Sequence, residues 1–346
     1  MNSVNNSGST GFFDMLQRGI EAVEKVAPEF TKSIKEFLPE IPLVVPLMQS
    51  ARPLVQALVQ QSDDFSNGRI FSELSTVPVG DMFERWGPEY VDFIKTHCMK
   101  PFEECVGDNV TIIEDPDKVF VARSEFAPDI SVAQAQKFGF ILPTGTNERM
   151  RRNTNLKIKP LMIRCFGVGS GSLTDQLREG AKNILSSSTD RLASANDLIL
   201  SHIKSEQEKF KSDPNVIVVP FITGFSLGAM FANAIAAKNN FSSMVFNGLG
   251  LGETGCEFVG KENWERAQRQ PNSHVAMFVD HDFVASPDSP WYDSTKTPGR
   301  IVCIPSDNPE RSIAKMGTIH FYKENFDKAY QDHLASHPYA RNRLVA

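Results

Sequence analysis

The sequence predicts an α/β protein, with a mainly parallel central sheet flanked by helices and a helical N-terminal extension ahead of it. Three observations carry this. From about residue 157 onward, short apolar runs alternate with segments whose apolar residues recur at helical spacing, the pattern of strand–helix–strand units. One run, beginning at Val216, is continuously apolar, as suits a strand covered on both faces. Residues 12–61 carry helical spacing and proline breaks.

In chain order, MNSVNNSGSTG (1–11) is small and polar and reads as a disordered leader. Leu16, Ile20, Val23, Phe30, Ile34 and Phe37 then recur three and four apart, giving one amphipathic helix or two broken near Pro28. Residues 41–61 add a proline-punctuated apolar stretch, and SDDFSNGR (62–69) has the composition of a linker. The boundaries are therefore a leader at 1–11, a helical extension at 12–65 and the main domain at 66–346. Within that domain 79–93 and 102–106 read as helical. VTII and KVFVA read as strands parted by the turn signal Asp115-Pro116-Asp117. Phe138–Leu142 and Lys157–Phe166 read as two strands around a polar turn. A glycine loop and a helix come next, then Asp197–Phe210 as helix, the Val216 strand and its helix, strand SSMVFNGLG, helix 256–270, strands HVAMFVD and RIVCIP, and helix 323–334.

Composition excludes several classes. Net charge is −6 with no basic block, which argues against a nucleic-acid partner. Arg149, Arg151 and Arg152 lie in a polar turn and read as a solvated face. The five cysteines are odd in number and form no C-x-x-C pair. They read as free thiols in a reducing compartment, with no metal site and no cofactor. The chain opens without a basic and apolar secretory pattern, and Ile41–Val59 is interrupted by Pro42, Pro46, Arg52 and Pro53, so no signal peptide and no membrane-spanning helix are expected. The expected location is cytoplasmic, or outside the cell by a non-classical route. Residues 12–60 suit packing on the main domain, a lid, a peripheral membrane contact or a partner surface.

The stretch VIVVPFITGFSLGAMFANAIAA (216–237) concentrates the chemistry. A buried strand breaks at Thr223-Gly224-Phe225-Ser226-Leu227-Gly228 and resumes as an alanine-rich helix. Strand, G-x-S-x-G and helix together form a nucleophile elbow, the signature of an α/β-hydrolase fold. The serine of such a turn is strained, and its neighbours two residues away must lack side chains; Gly224 and Gly228 meet that need. The turn puts Ser226 at a helix N-terminus, which favours developing negative charge.

A serine nucleophile needs a base, and the base an orienting acid. In elbow hydrolases these come after the serine in the order acid, then histidine. Asp280 and Asp282 lie at or just past the end of HVAMFVD, where α/β sheets place their chemistry. Of the seven histidines, His97 and His202 precede the serine, His274 starts a strand at the wrong end, His281 adjoins the acid, and His333 and His337 lie on or beyond the last helix. His320, expected in a loop before that helix, has the right order and place. The oxyanion donors are Leu227 N–H and, from the glycine loop after LMIRCF, Gly167 or Val168. That loop reads G-x-G-x-G with Ser172 where a dinucleotide site has its third glycine, and no G-K-[ST] occurs, so no nucleotide is expected.

The run TGFSLGAMFANAIAA resembles the elbow of class 3 lipases, T-G-H-S-L-G-G-A-x-A, through Thr223, Gly224, Ser226, Leu227, Gly228 and Ala232. Asp282-Phe283-Val284, with Pro287 behind, is similar to the family's N-D-x-V segment, and IHFYKENF to its H-x-x-x-x-Y ending. The resemblance covers roughly 157–330 and selects Asp282 over Asp280 as the triad acid. It implies a Ser226–Asp282–His320 triad and a serine hydrolase acting on carboxylic esters, of lipid or phospholipid class, through an acyl-enzyme. An acyltransferase with the same triad and a non-catalytic interaction protein are the alternatives. Two departures stand out: Phe225 replaces the histidine before the serine, and Phe166-Gly167-Val168 replaces R-G-[ST].

Overall fold

The computed structural model describes residues 76–101, 104–116, 120–166, 189–248, 250–280, 297–306 and 319–337. The leader at 1–11, the extension at 12–65, Gly167, Val168 and Asp282 lie outside the described residues. The strands are β1 (Val77–Pro78), β2 (Thr111–Glu114), β3 (Val121–Phe126), β4 (Ile130–Ser131), β5 (Lys157–Cys165), β6 (Val216–Phe225), β7 (Ser242–Phe246), β8 (His274–Val279) and β9 (Arg300–Ile304). The helices are α1 (Val79–Trp86), α2 (Pro88–Phe93), α3 (Val132–Lys137), α4 (Thr146–Arg152), α5 (Asp190–Lys209), α6 (Leu227–Asn239), α7 (Gly252–Val259), α8 (Lys261–Gln268) and α9 (Ile319–Ser336). A π-helical turn, Ile94–Cys98, continues α2.

The nine strands among the described residues form one sheet in the order β1-β9-β8-β7-β6-β5-β3-β2, with β4 paired to the start of β5. Strands β5 to β9 and β1 run parallel, and β2, β3 and β4 join antiparallel. This is the mixed α/β architecture, mainly parallel and helix-covered, that the alternation of runs predicts. Each consecutive parallel pair needs a crossover; α5, α6 and the α7–α8 pair supply those that join β5, β6, β7 and β8, all on one face.

The two faces hold separate cores. On one, α1, α2, α3 and α9 pack Met82, Phe83, Tyr90, Phe321, Tyr322 and Phe326 against Met162, Phe221, Met244 and Met277. Tyr90 stacks on Phe138 with ring centroids 4.4 Å apart. On the other, α5, α6, α7 and α8 cover Ile163, Ile222 and Val245. Helix α6 is apolar on nearly every side and is accordingly buried almost throughout, with Ala229, Ala232, Ala234 and Ala236 each 0% exposed. Its small side chains let it lie close to the sheet. Phe231, 1% exposed, anchors it, a burial that contributes about 2 kcal/mol.

Several local readings change, among them the start of α5, which begins at Asp190 and not Asp197. Phe138–Leu142 is not a strand. A capping box between Ser131 and Gln134 starts α3, Phe138 ends it, and Gly139 comes next at φ 79, so the apolar run turns inward as a loop that buries Phe140. The polar turn beyond it contains α4. At the far edge, β1 pairs Val77 with Val302 in parallel, a contact no local pattern announces. Helix 256–270 is two helices broken at Gly260, whose φ of 80 suits glycine.

Candidate active site

Strand β6 ends at Phe225, and α6 begins at Leu227. Ser226 alone makes the turn between them, with φ 54 and ψ −121. A non-glycine residue there costs about 1–3 kcal/mol, and it persists only where the surroundings over-determine it. They do so here. Ser226 N–H donates to Phe246 O on the neighbouring strand at 2.9 Å, and Ser226 O accepts from Ala229 N–H at 3.0 Å.

Both flanking glycines are sterically required. A Cβ at Gly224 would overlap the Gly228 carbonyl oxygen and stand 2.6 Å from its carbon and 2.8 Å from Ala229 N. A Cβ at Gly228 would overlap the Cys165 carbonyl oxygen, 2.6 Å from its carbon and 3.0 Å from Phe166 Cα. The second contact is the more informative. It presses the first turn of α6 onto the last residue of β5, immediately before Gly167 and Val168.

Electrostatics favour an anion at this point. The 13-residue helix α6 presents its N-terminal end at Ser226, where its dipole amounts to about half a positive charge. Leu227, the first oxyanion candidate, is the first residue of that helix, so its N–H has no partner within the helix.

The end of β5 is held by charge. Arg164, 2% exposed, directs Nε and Nη2 at the His97 carbonyl, 3.1 and 2.7 Å away, and Nη2 also reaches Glu125 at 2.9 Å. Lys100 adds contacts of 3.2 and 3.0 Å to the same carboxylate. Burial alone would raise the Glu125 carboxyl, but Arg164 and Lys100 outweigh it and hold it below the usual carboxylate range. A cleft of about 470 Å³ opens beside this network, lined among others by Lys95, His97, Lys100, Phe126 and Lys323; of the described residues expected in the triad, neither Ser226 nor His320 lines it.

Asp280 sits just past β8 at the carboxyl edge of the sheet, half-buried, with its N–H donating to Ile304 O at 2.7 Å. His320 is not in a loop: it is the second residue of α9 and is exposed. Helix α9 begins beside the elbow, because Tyr322 packs edge-to-face on Phe225 with centroids 5.4 Å apart. Two helical residues lie about 200° apart around the axis, so the turn that buries Tyr322 against Phe225 leaves His320 on the solvent side. The structure thus joins Ser226, Leu227 and the end of β5 in one place, and brings the backbone that carries His320 near them.

One residue escaped the sequence reading. Asn247, just past β7, is 1% exposed, has φ 53, and has a buried Oδ1 with no hydrogen-bond partner. The dipeptide Asn247-Gly248 was the available signal, since Asn-Gly marks a turn that needs positive φ.

No protein-family model matches the chain, and no curated protein matches it.

Proposed function

We propose that the chain is a serine hydrolase that cleaves carboxylic esters through an acyl-enzyme. The observation that carries this is the backbone of Ser226: a strained serine between a central parallel strand and a buried helix, flanked by two glycines whose Cβ positions are occupied by backbone. A protein with no use for that serine gains stability by replacing it with glycine.

In the proposed reaction Ser226 Oγ attacks the ester carbonyl carbon as its proton passes to the imidazole of His320, which Asp282 orients. The carbonyl oxygen becomes an oxyanion bound by Leu227 N–H and by Gly167 or Val168 N–H. Collapse breaks the ester C–O bond, and the imidazolium protonates the departing alkoxide. Water then attacks the acyl carbon, gives its proton to the imidazole, and releases the acid as Oγ regains its proton. No cofactor or metal enters. The likeness of TGFSLGAMFANAIAA to class 3 lipases directs the substrate proposal to lipid or phospholipid acyl esters, with residues 12–60 as the candidate contact with a lipid surface. No described helix is long and apolar enough to cross a membrane.

The test is labelling of the purified protein with a fluorophosphonate, comparing wild type with Ser226→Ala and locating the adduct by mass spectrometry. An adduct on Ser226 alone supports the reading. A folded protein that stays unlabelled, in detergent as well as buffer, removes it. The exposed position of His320 favours a second reading, a hydrolase fold kept as an interaction module, which predicts that inert result. Transfer of the acyl group to an alcohol shares every step up to the acyl-enzyme, and product analysis with an added alcohol separates it from hydrolysis.

A further inference from the structure

Asn247 stands where the neighbouring strand comes closest to the serine. Phe246 is paired with Phe225, so the next residues along, Asn247 and Ser226, face each other across one strand spacing, about 5 Å. Both have positive φ. Asn247 N–H donates to Met277 O on β8 at 2.9 Å. Gly248 lies so close to the first turn of α6 that a Cβ on it would be 2.9 Å from Ala229 Cβ. Asn247 is therefore wedged between the elbow and β8, on the side opposite β5.

The backbone accounts for half of this residue. Asparagine tolerates the left-handed region better than other side chains, and an Asn-Gly turn is an ordinary way to end a strand. Glycine would do that as well, without burying a carboxamide. The side chain is the unexplained half. Its Oδ1 is fully buried and accepts no hydrogen bond, a state that costs about 1–3 kcal/mol. An acceptor held at that cost, one strand from a strained serine, is suited to an N–H donor that arrives there during reaction.

We propose that Asn247 is a positioning residue for the Ser226 centre: its carboxamide oxygen accepts, beside the Asp282 carboxylate, the one N–H of the neutral imidazole that deprotonates Ser226. It thereby holds the ring in the tautomer whose bare nitrogen faces Oγ. Asparagine does this for histidine in cysteine–histidine–asparagine centres, where a neutral acceptor suffices. The inference rests on the hydrolase reading above.

The experiment uses the full chain as wild type, Asn247→Gly and Asn247→Asp. Each is melted, labelled with a fluorophosphonate at Ser226, and assayed for kcat and KM on p-nitrophenyl butyrate. Asn247→Gly keeps the backbone and removes the acceptor. It should melt near the wild-type temperature while labelling rate and kcat fall at least about tenfold, with KM within about twofold. Asn247→Asp keeps an oxygen at the same place and should recover most of the loss. If Asn247→Gly does not fold, Asn247→Ala is read by the same kcat-against-KM split. Wild-type rates in a folded glycine or alanine variant overturn the proposal, and so does an aspartate variant as slow as glycine. A wild-type protein unlabelled at Ser226 fails the hydrolase reading itself, a result distinct from both.

Discussion

Acid should destabilise this protein through His274. The side chain is 1% exposed at the start of β8, with Nδ1 3.1 Å from Ser243 Oγ, itself 3.3 Å from Asn233 Oδ1. Burial, helped by the Arg266 charge, lowers its pKa to about 4, against 6.5 for an ordinary histidine. The unfolded chain therefore takes up a proton first as pH falls. Stability is intact above about 6.5, drains away between 6.5 and 4, and is lost below that. A shift from 6.5 to about 4 amounts to roughly 3 kcal/mol once complete, and about 2 kcal/mol of it has gone by pH 5. Against a total of about 5–15 kcal/mol, one residue then removes a large share. The assay is urea unfolding at pH 7 and pH 5 for wild type and His274→Gln. His97, His202 and His333 are also lowered, burial being the largest cause at each, so the wild type loses more than His274 accounts for. The difference between the two proteins isolates it: the variant should lose about 2 kcal/mol less between the two pH values. Equal losses would refute the reasoning, because His274 would then not be held neutral by its surroundings.

The elbow and the thiols give further outcomes. Ser226→Gly should abolish fluorophosphonate labelling and raise stability by about 1 kcal/mol in thermal or urea unfolding, because glycine accepts φ 54 and ψ −121 freely. Gly228→Ala should cost about 1–3 kcal/mol and slow labelling of Ser226, since its methyl displaces α6 from the Cys165 carbonyl; an unchanged melt and labelling rate would show that the contact yields. Cys98 and Cys165 are fully buried, and burial pushes the Cys98 thiol up to about 12 and the Cys165 thiol higher still. In the native protein a thiol reagent should therefore modify Cys256 and Cys303, which are half-buried, well before Cys98, Cys105 or Cys165, a sequence that peptide mapping reads directly.

What was legible in the sequence was what is local and periodic. β5 to β9 and the helices between them announce themselves because each run is long enough to show its own period and each ends at a turn residue. The Gly224–Gly228 spacing was legible for a stronger reason: one steric demand, backbone against backbone, leaves glycine as the sole choice at both ends. Pairings between distant segments were not legible. Val77 meets Val302 through the closing of the sheet, not through any feature of Val77-Pro78. Phe138–Leu142 misled because apolar content signals burial, not conformation, and the Ser131–Gln134 cap and Gly139 decided the conformation instead. His320 was placed in a loop and lies in a helix, because helix starts shift by a residue or two without a strong cap. Asn247 carries its meaning in a neighbour one strand away, and no window along the chain contains both residues.

The strain at Ser226 persists chiefly because helix α6 is packed behind it, with the hydrogen bond to Phe246 O adding to the hold. Left to itself, the turn would relax by moving Ser226 to negative φ, at a gain of about 1–3 kcal/mol. That relaxation would swing the start of α6 away from β5. Helix α6 buries Phe231, Ile235 and a run of alanines at 0–1% exposure, and uncovering even two of the larger side chains would cost about 3–6 kcal/mol. The packing term therefore exceeds the backbone term, and the serine stays strained. The same comparison explains why the helix is rich in alanine: only small side chains let it come close enough for Gly228 to touch the Cys165 carbonyl. Enlarging Ala232, which is fully buried, should act on Ser226 without touching it. Ala232→Val would lift α6 from the sheet, let the turn relax, and lower the fluorophosphonate labelling rate by more than its cost in stability, about 1–3 kcal/mol, would suggest. A variant destabilised to that degree yet labelled at the wild-type rate would show that the geometry of the elbow is set within the turn itself and not by the helix beyond it.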